Sequence, residues 1–310
     1  MKEDHSKVMW RLKNELNSLL EWIDKEKSII FVDIPVYLNI GDLIIQKGTE
    51  RFFKENEIDI TLRLSDLNFD VNMLNDLYPN AIVICQGGGN FGDQYLSHQQ
   101  VRDDLVEKYS GKIIMLPQSI NFENPINLEK CVQKYKSKSN IYMCARDEYS
   151  YSLMKEMSDN VLLLPDMAHY IWNGEEKRHG EGVLWFIRND IEASKDNEKY
   201  ASKFSKDWSD DFTLFDRLSL RFFKLITPFC KGVYSANFIA NLWIRYSNRK
   251  IDSVSKMFSQ YDSVITSRLH GHILSALLSI PSKVVDNSYK KNSRYLSVWT
   301  SASDKTEYMD

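Results

Sequence analysis

Residues 81–93, AIVICQGGGNFGD, join a five-residue apolar run to a glycine-rich turn. A run such as Ala81–Cys85, with no polar alternation, is what a strand buried on both faces requires, and the glycines after it mark a strand-to-helix junction. The same pattern repeats outward. SIIFVDIP (28–35) precedes a helix-patterned stretch near 42–55, and the glycine turn precedes one near 96–109. KIIMLPQS (112–119) leads to a helix near 126–136, NIYMCAR (140–146) to one near 148–157, and VLLLPD (161–166) closes the series. Upstream, Val8, Leu12, Leu16, Leu19, Leu20 and Ile23 recur at helical spacing. The N-terminal half therefore reads as an open α/β, Rossmann-like domain.

The polar run GEEKRHGEG (174–182) is the linker candidate. Beyond it GVLWFIRND (182–190) reads as a new strand, and after a long helical interval DSVITSR (262–268) and SKVVD (282–286) flank a helix beginning near His270. At 310 residues the chain is about twice the usual domain size. The expectation is two Rossmann-like domains, 1–175 and 176–310, facing across a cleft.

Composition narrows the function classes. With 43% apolar residues and 7 prolines the chain can bury a sizeable core. Lys plus Arg is 40 against Asp plus Glu 43, which lacks the basic excess of a nucleic-acid binder. No apolar run is long enough to span a bilayer, and the N-terminal stretch mixes both charge signs without the apolar core of a secretory signal. Four cysteines (85, 131, 144 and 230) show no paired or metal-ligand spacing. A cytoplasmic protein of a reducing compartment is expected.

Ligands in open α/β sheets sit beyond the carboxyl ends of strands. Polar residues cluster there at Asn39–Asp42, Gly87–Asp93, Gln118–Asn121, Arg146–Glu148, Asp166 and Arg268–His272. Gly87, Gly89 and Gly92 match a dinucleotide fingerprint literally, but the next strand ends Leu116-Pro117-Gln118-Ser119, without the acidic residue that would hold a ribose. A backbone approach to an anion or sugar, or a tight turn without a ligand, remain the two readings of this loop. Ser267-Arg268-Leu269-His270-Gly271-His272 aims donors at a helix N-terminus: Arg268 offers a fork for phosphate or carboxylate, His270 a proton near neutral pH, and Gly271 close backbone approach. His270 and His272 lack a third metal ligand, so no metal is expected.

Residues 217–250 hold seven Lys or Arg and no Asp or Glu, interleaved with Phe222, Phe223, Leu225, Phe229, Phe238, Leu242 and Trp243. Cations beside aromatic anchors fit a peripheral contact with an anionic membrane face. A core-packing helix pair with a basic outer face is the preferred reading of them, and Pro228, which breaks any continuous helix, counts against the membrane contact.

Several of these segments together resemble the polysaccharide pyruvyl transferases: NIGDLIIQKG (39–48), QGGGNFGD (86–93), LPQSINF (116–122), ARDEYS (145–150), LLPDMA (163–168), FIRND (186–190) and ITSRLHGHILSALLSIP (265–281). The resemblance implies two Rossmann-like domains arranged as in B-type glycosyltransferases. It implies transfer of the enolpyruvyl unit of phosphoenolpyruvate, a co-substrate rather than a cofactor, onto two hydroxyls of a sugar or lipid-linked oligosaccharide, within exopolysaccharide or cell-surface glycan synthesis. Arg268 and His270, with Gly271 beside them, then contact the donor from the C-terminal side, and Arg146 is a second donor-binding cation. Acid and base work falls to His270, Asp93 and Asp42. Asn39, Gly41, Gly88, Gly89, Asn90, Gln118 and Asp166 line the acceptor side, in the N-terminal domain. Each of Asp42, Asp93 and Asp166 also fits a helix cap or turn. Lys290, Lys291 and Arg294 could close over the donor. A sugar-nucleotide-dependent glycosyltransferase and a catalytically silent carbohydrate-binding protein are the alternative readings.

Overall fold

The apolar runs become parallel strands. The computed structural model describes residues 2–175, 180–188, 205–286 and 290–309. In its N-terminal half, α1 (His5–Glu15), β1 (Ile29–Val32), α2 (Ile40–Glu55), β2 (Ile60–Arg63), α3 (Val71–Leu77), β3 (Ile82–Cys85), β4 (Gly88–Gly92), α4 (Leu96–Lys108), β5 (Ile113–Asn121), α5 (Pro125–Lys136), β6 (Ile141–Ala145), α6 (Glu148–Met157) and β7 (Asn160–Leu163) follow in order. The strands form one sheet in the order β2-β1-β3-β5-β6-β7, with β4 added alongside β5, and every pairing is parallel.

Strand residues alternate between two apolar clusters. Ile29, Phe31, Ile82, Ile84, Ile114 and Leu116 face one, and Ile30, Val32, Val83, Cys85, Ile113 and Met115 face the other. Both faces are covered, which is why the sequence shows unbroken apolar runs instead of alternation. From β1 the chain first places β2 on one side, then crosses back to lay β3 on the other. That reversal opens a crevice at the carboxyl ends of β1 and β3, the usual ligand position of such sheets.

The C-terminal half contributes β8 (Val183–Phe186), α7 (Leu214–Ile226), α8 (Val233–Phe258), β9 (Ser263–Thr266), α9 (Leu269–Leu277), β10 (Ser282–Val285), α10 (Lys291–Val298) and β11 (Thr306–Met309). These strands form a second parallel sheet, β11-β10-β9-β8. The two sheets share one apolar cluster, running from Val8 and Phe31 through Trp243 to Ile273 and Trp299. Polar ties reinforce it. Trp243 Nε1 donates to the Pro35 carbonyl at 2.7 Å, and Asn237 bonds the backbone of both Thr61 and Arg63 on β2. Near the N-terminus, the His5 imidazole sits between Ser303 Oγ and the Ala276 carbonyl. Of the linker candidate 174–182, residues 176–179 lie outside the described residues.

The structure adds elements the periodicity did not announce: β2, α3, β4, α10 and β11. The correction at β4 bears on function. Gly88–Gly92 is not an open loop but a short strand paired to the extension of β5 at Gln118–Asn121. The glycines let that strand lie close: a Cβ on Gly92, whose φ is +148°, would fall 1.7 Å from the Asn121 carbonyl oxygen.

Helix α2 presses on the turn Met167–Ile171, and a Cβ at Gly48 would lie 2.0 Å from the Met167 carbonyl oxygen. Gly48→Ala should therefore cost about 3 kcal/mol in denaturant unfolding. A midpoint unchanged from the parent would refute this packing.

Candidate active site

A cavity of about 390 Å³ opens at the carboxyl ends of β1, β3 and β6 and the N-terminus of α9, within the range of small-molecule sites. Its lining is strongly cationic. Arg146, Arg188, Lys224, Arg268 and Lys291 line it together with His98 and His270, against the carboxylates of Asp42 and Asp66.

Asp166, which follows β7 and is fully buried, organises one wall. Its Oδ2 accepts from Arg146 Nη1 at 2.5 Å and faces His270 Nε2 at 3.3 Å, while Oδ1 accepts the Ala168 amide. The three side chains come from the ends of β6 and β7 and the first turn of α9, so the cluster joins the two sheets. Burial works to raise the Asp166 pKa, but His270, Arg146 and the Ala168 amide outweigh it and hold the carboxyl well below the usual range. Arg146 is braced further by donating Nε to Ser119 Oγ. Its Nη2 lies against Gly89, where a Cβ would approach to 2.9 Å.

Gly41 explains how His270 fits. A Cβ at Gly41 would stand 2.6 Å from His270 Nδ1, so the glycine forms the seat of the imidazole. The next residue, Asp42, also borders the cavity. Asn39 caps α2 through the Gly41 amide and donates Nδ2 to Asp42 Oδ2 at 2.7 Å. Burial pushes the Asp42 pKa up, against the opposing pull of His270, His98, Arg146 and the Tyr37 hydroxyl. The two carboxylates thus have opposite characters: its partners hold Asp166 in the charged form, whereas burial disfavours the charged form of Asp42.

A third group escaped the sequence reading. Asp33, directly after β1, adopts a left-handed conformation with φ 64°. Its Oδ1 meets His98 Nδ1 at 2.5 Å and its Oδ2 accepts from the buried Arg102 at 2.9 Å. Burial lowers the His98 pKa, but Asp33 overcomes this and leaves it raised. Arg102 also donates to Asn90 Oδ1, placing Asn90 in the cavity wall. The available signal was an aspartate ending a buried strand at the topological reversal; His98, inside α4, gave none.

The remaining candidates divide. Arg268 caps α9 and lines the cavity, its guanidinium held by Asp207 through Nε and, at 2.7 Å, through Nη2. Lys291 lines the cavity, whereas Arg294 stacks over the Tyr149 ring and Lys290 is solvent-exposed. Asp93 lies outside the lining: it accepts the Glu123 and Asn124 amides and Asn127 Nδ2, and those bonds hold its pKa down against the burial that would raise it. Its turn-holding alternative matches this geometry. Gln118 is buried behind the wall, donating to the Gln86 carbonyl, and Gly88 sits 3.4 Å from Asp42 Oδ1 by its would-be Cβ. Gly271 faces inward, where a Cβ would meet Thr266 Oγ1 at 2.6 Å, so its smallness serves the packing of α9 on β9. His272 is buried between Ser282 and Thr300, with its pKa pushed down to about 3 by burial. Among the described residues no group of three or more His, Cys, Asp or Glu is placed to hold a metal ion.

The family model for polysaccharide pyruvyl transferases matches residues 39–289. The chain belongs to that family. It is an enzyme of the pyruvyl-transfer class. A Bacillus subtilis (strain 168) protein, EpsO, whose pyruvyl transferase name is provisional, is 39% identical over 96% of this chain and 92% of its own. Pyruvyl transferase 1 of Schizosaccharomyces pombe is 27% identical over 88% of this chain and 70% of its own. A crystal structure of an uncharacterised Klebsiella pneumoniae protein has the same fold, with a TM-score of 0.62 and 20% identity, covering 96% of this chain and 98% of that one. The segments Asn39–Gly48, Arg146, Asp166 and Arg268–His270 all lie inside the matched region.

Because its folded pKa lies below the unfolded value of 3.8, Asp166 contributes stability above about pH 4 that is lost as pH falls below it. Asp166→Asn, which leaves Arg146 buried without its counter-charge, should cost roughly 3–5 kcal/mol at pH 7. The gap between variant and parent should narrow as unfolding is measured at successively lower pH. A gap that stays constant through the acid range would contradict this electrostatic role.

Proposed function

We propose that this enzyme moves the enolpyruvyl unit of phosphoenolpyruvate onto two hydroxyls of one sugar, forming a pyruvate ketal and releasing phosphate. The observation that carries the reading is the cavity itself: five Lys or Arg side chains line it together with His270 and the raised-pKa Asp42, and the buried low-pKa Asp166 faces His270 Nε2. A small trianion needs fixed cations, and its transfer needs a group that exchanges protons near neutral pH.

A proton adds to the methylene carbon of the donor, leaving an oxocarbenium-like centre at C2. One sugar hydroxyl attacks C2 and gives up its proton. The C2–O bond to phosphate then breaks, phosphate leaving with that bond's electron pair. The second hydroxyl closes the ring and loses its own proton. Of the two hydroxyl protons, one replaces the proton placed on carbon and the other departs with phosphate. Arg146, Arg268 and Lys291 are assigned to the donor's phosphate and carboxylate, with Asp207 orienting Arg268. His270, held by Asp166 against Gly41, is assigned the proton exchanged with the donor. Asp42 is assigned the acceptor hydroxyl, and Asn39 and Asn90 the sugar's remaining polar groups. His98, backed by Asp33, stands ready as a second proton carrier on the same wall.

The acceptor belongs, in this reading, to an exopolysaccharide or cell-surface glycan, free or lipid-linked, and the enzyme works in the cytoplasm. The two facing sheets serve the roles of the halves of a B-type glycosyltransferase, with the N-terminal half, to about residue 175, on the acceptor side.

Incubation with phosphoenolpyruvate and a panel of glycosides, with mass detection of the added pyruvate and assay of released phosphate, tests the proposal. Turnover with nucleotide sugars and none with phosphoenolpyruvate would overturn it. Asp42→Asn should lower kcat by at least about a hundredfold while leaving phosphoenolpyruvate binding within a few-fold. Gly41→Ala, which displaces the His270 ring, should lower kcat and, by loosening the hold on buried Asp166, also lower the unfolding midpoint. Full activity in both variants would remove Asp42 and the His270 seat from the mechanism.

A further inference from the structure

Helix α7 is apolar on two sides. Its inner side packs on the core through Phe223, which meets the rings of Trp243 and Tyr246 on α8. Asp216 at its start accepts from Tyr246 and Lys250, so α7 and α8 run antiparallel as a helical hairpin. The outer side, where a globular protein would place polar residues, carries Leu214, Leu218, Phe222 and Leu225, all exposed. Pro228 does not spoil this surface. It lies in the tight turn Thr227–Phe229 that ends α7, and the corner it makes projects Phe229 and Tyr234, which are 81% and 93% exposed.

Charge selects the occupant. Arg217, Arg221 and Lys224 are exposed on the same helix, and no carboxylate occurs from 217 to 250. A second copy would bring like charges together on this face. An anionic bilayer complements both features, since phosphates meet the cations and the interface takes up the apolar stripe. No helix among the described residues is long and apolar enough to cross a membrane, so the contact is with its surface. Lys224 also lines the mouth of the cavity. The docking helix therefore borders the site.

We infer that the α7–α8 hairpin is a docking element for an anionic membrane surface, inserting Leu214, Leu218, Phe222, Leu225, Phe229 and Tyr234 into the headgroup boundary and holding the cavity mouth beside the lipid. The inference is independent of which group the enzyme transfers. It says where a lipid-linked acceptor would be met.

Sedimentation of the full chain with vesicles of phosphatidylglycerol mixed with phosphatidylcholine tests it, with pure phosphatidylcholine vesicles as the comparison. The parent should sediment with the mixed vesicles, less so as salt is raised, and should stay in solution with phosphatidylcholine alone. Phe229→Ser/Tyr234→Ser and, separately, Arg217→Glu/Arg221→Glu should each lower partitioning at least about tenfold, with thermal unfolding unchanged because all four side chains are exposed. Failure of the parent to bind anionic vesicles at moderate ionic strength would overturn the inference. So would parent-like binding by both variants, or a dimer that Phe229→Ser/Tyr234→Ser dissociates in a protein that ignores vesicles.

Discussion

One buried carboxylate ties the molecule together. Asp166 ends the N-terminal sheet, yet its oxygens are used by Arg146 from that sheet and His270 from the other. A lone carboxylate at this depth would cost several kcal/mol, so the burial is tolerable only while the cations stay in place. The requirement runs both ways. Arg146 is itself buried and depends on Asp166 and Ser119, and His270 reaches Asp166 only because Gly41 leaves room for its ring. The packing of α9 on the end of α2 and the electrostatics of the cavity are therefore one constraint.

The same constraint separates Asp166, which contacts His270, from Asp42, which feels its charge. Asp166 is surrounded by donors and stays charged, while Asp42 is desolvated with weaker compensation. Their difference lies in partners rather than in sequence context, since each follows a polar strand end or starts a helix. A similar division holds for the two histidines of the Leu269–His272 stretch. His270 points at the cavity, whereas His272, two residues along the same helix, points into the core and is pushed to a low pKa.

Much of this was legible in the residues. Unbroken apolar runs located β1, β3, β5 and β6, because a strand covered on both faces has no polar side to show, while β7, β8, β9 and β10, less completely buried, were legible as short apolar or β-branched runs. The elements that were missed have weaker signatures. β2, ITLR, is an edge strand with a mixed pattern, and β4, GGNFG, carries too few side chains to reveal any period. Arg146, Arg268, His270 and Asp42 were legible because strand and helix ends aim side chains at the crevice. Asp33 carried the same strand-end signal and was passed over, while His98, Lys224 and Asp207 gave none, since each reaches the cavity or its wall through tertiary contacts from segments far apart in the chain. The glycine stretch was ambiguous in a different way. Its pattern left an anion or sugar approach and a ligand-free turn both open, and in the structure Gly89 borders the cavity, Gly87 and Gly92 let the chain lie against β5, and Gly88 faces Asp42 and Ile45 of α2.

The central claim is that Arg146 and Asp166 act as one unit in forming the anion site. Calorimetric titration of phosphoenolpyruvate into the parent, Arg146→Gln, Asp166→Asn and the double variant tests it most directly. The account predicts at least about a tenfold loss of affinity in each single variant and a double variant no weaker than the weaker single, the non-additivity of residues in contact. Losses that simply add, or parent-like affinity in either single variant, would contradict it.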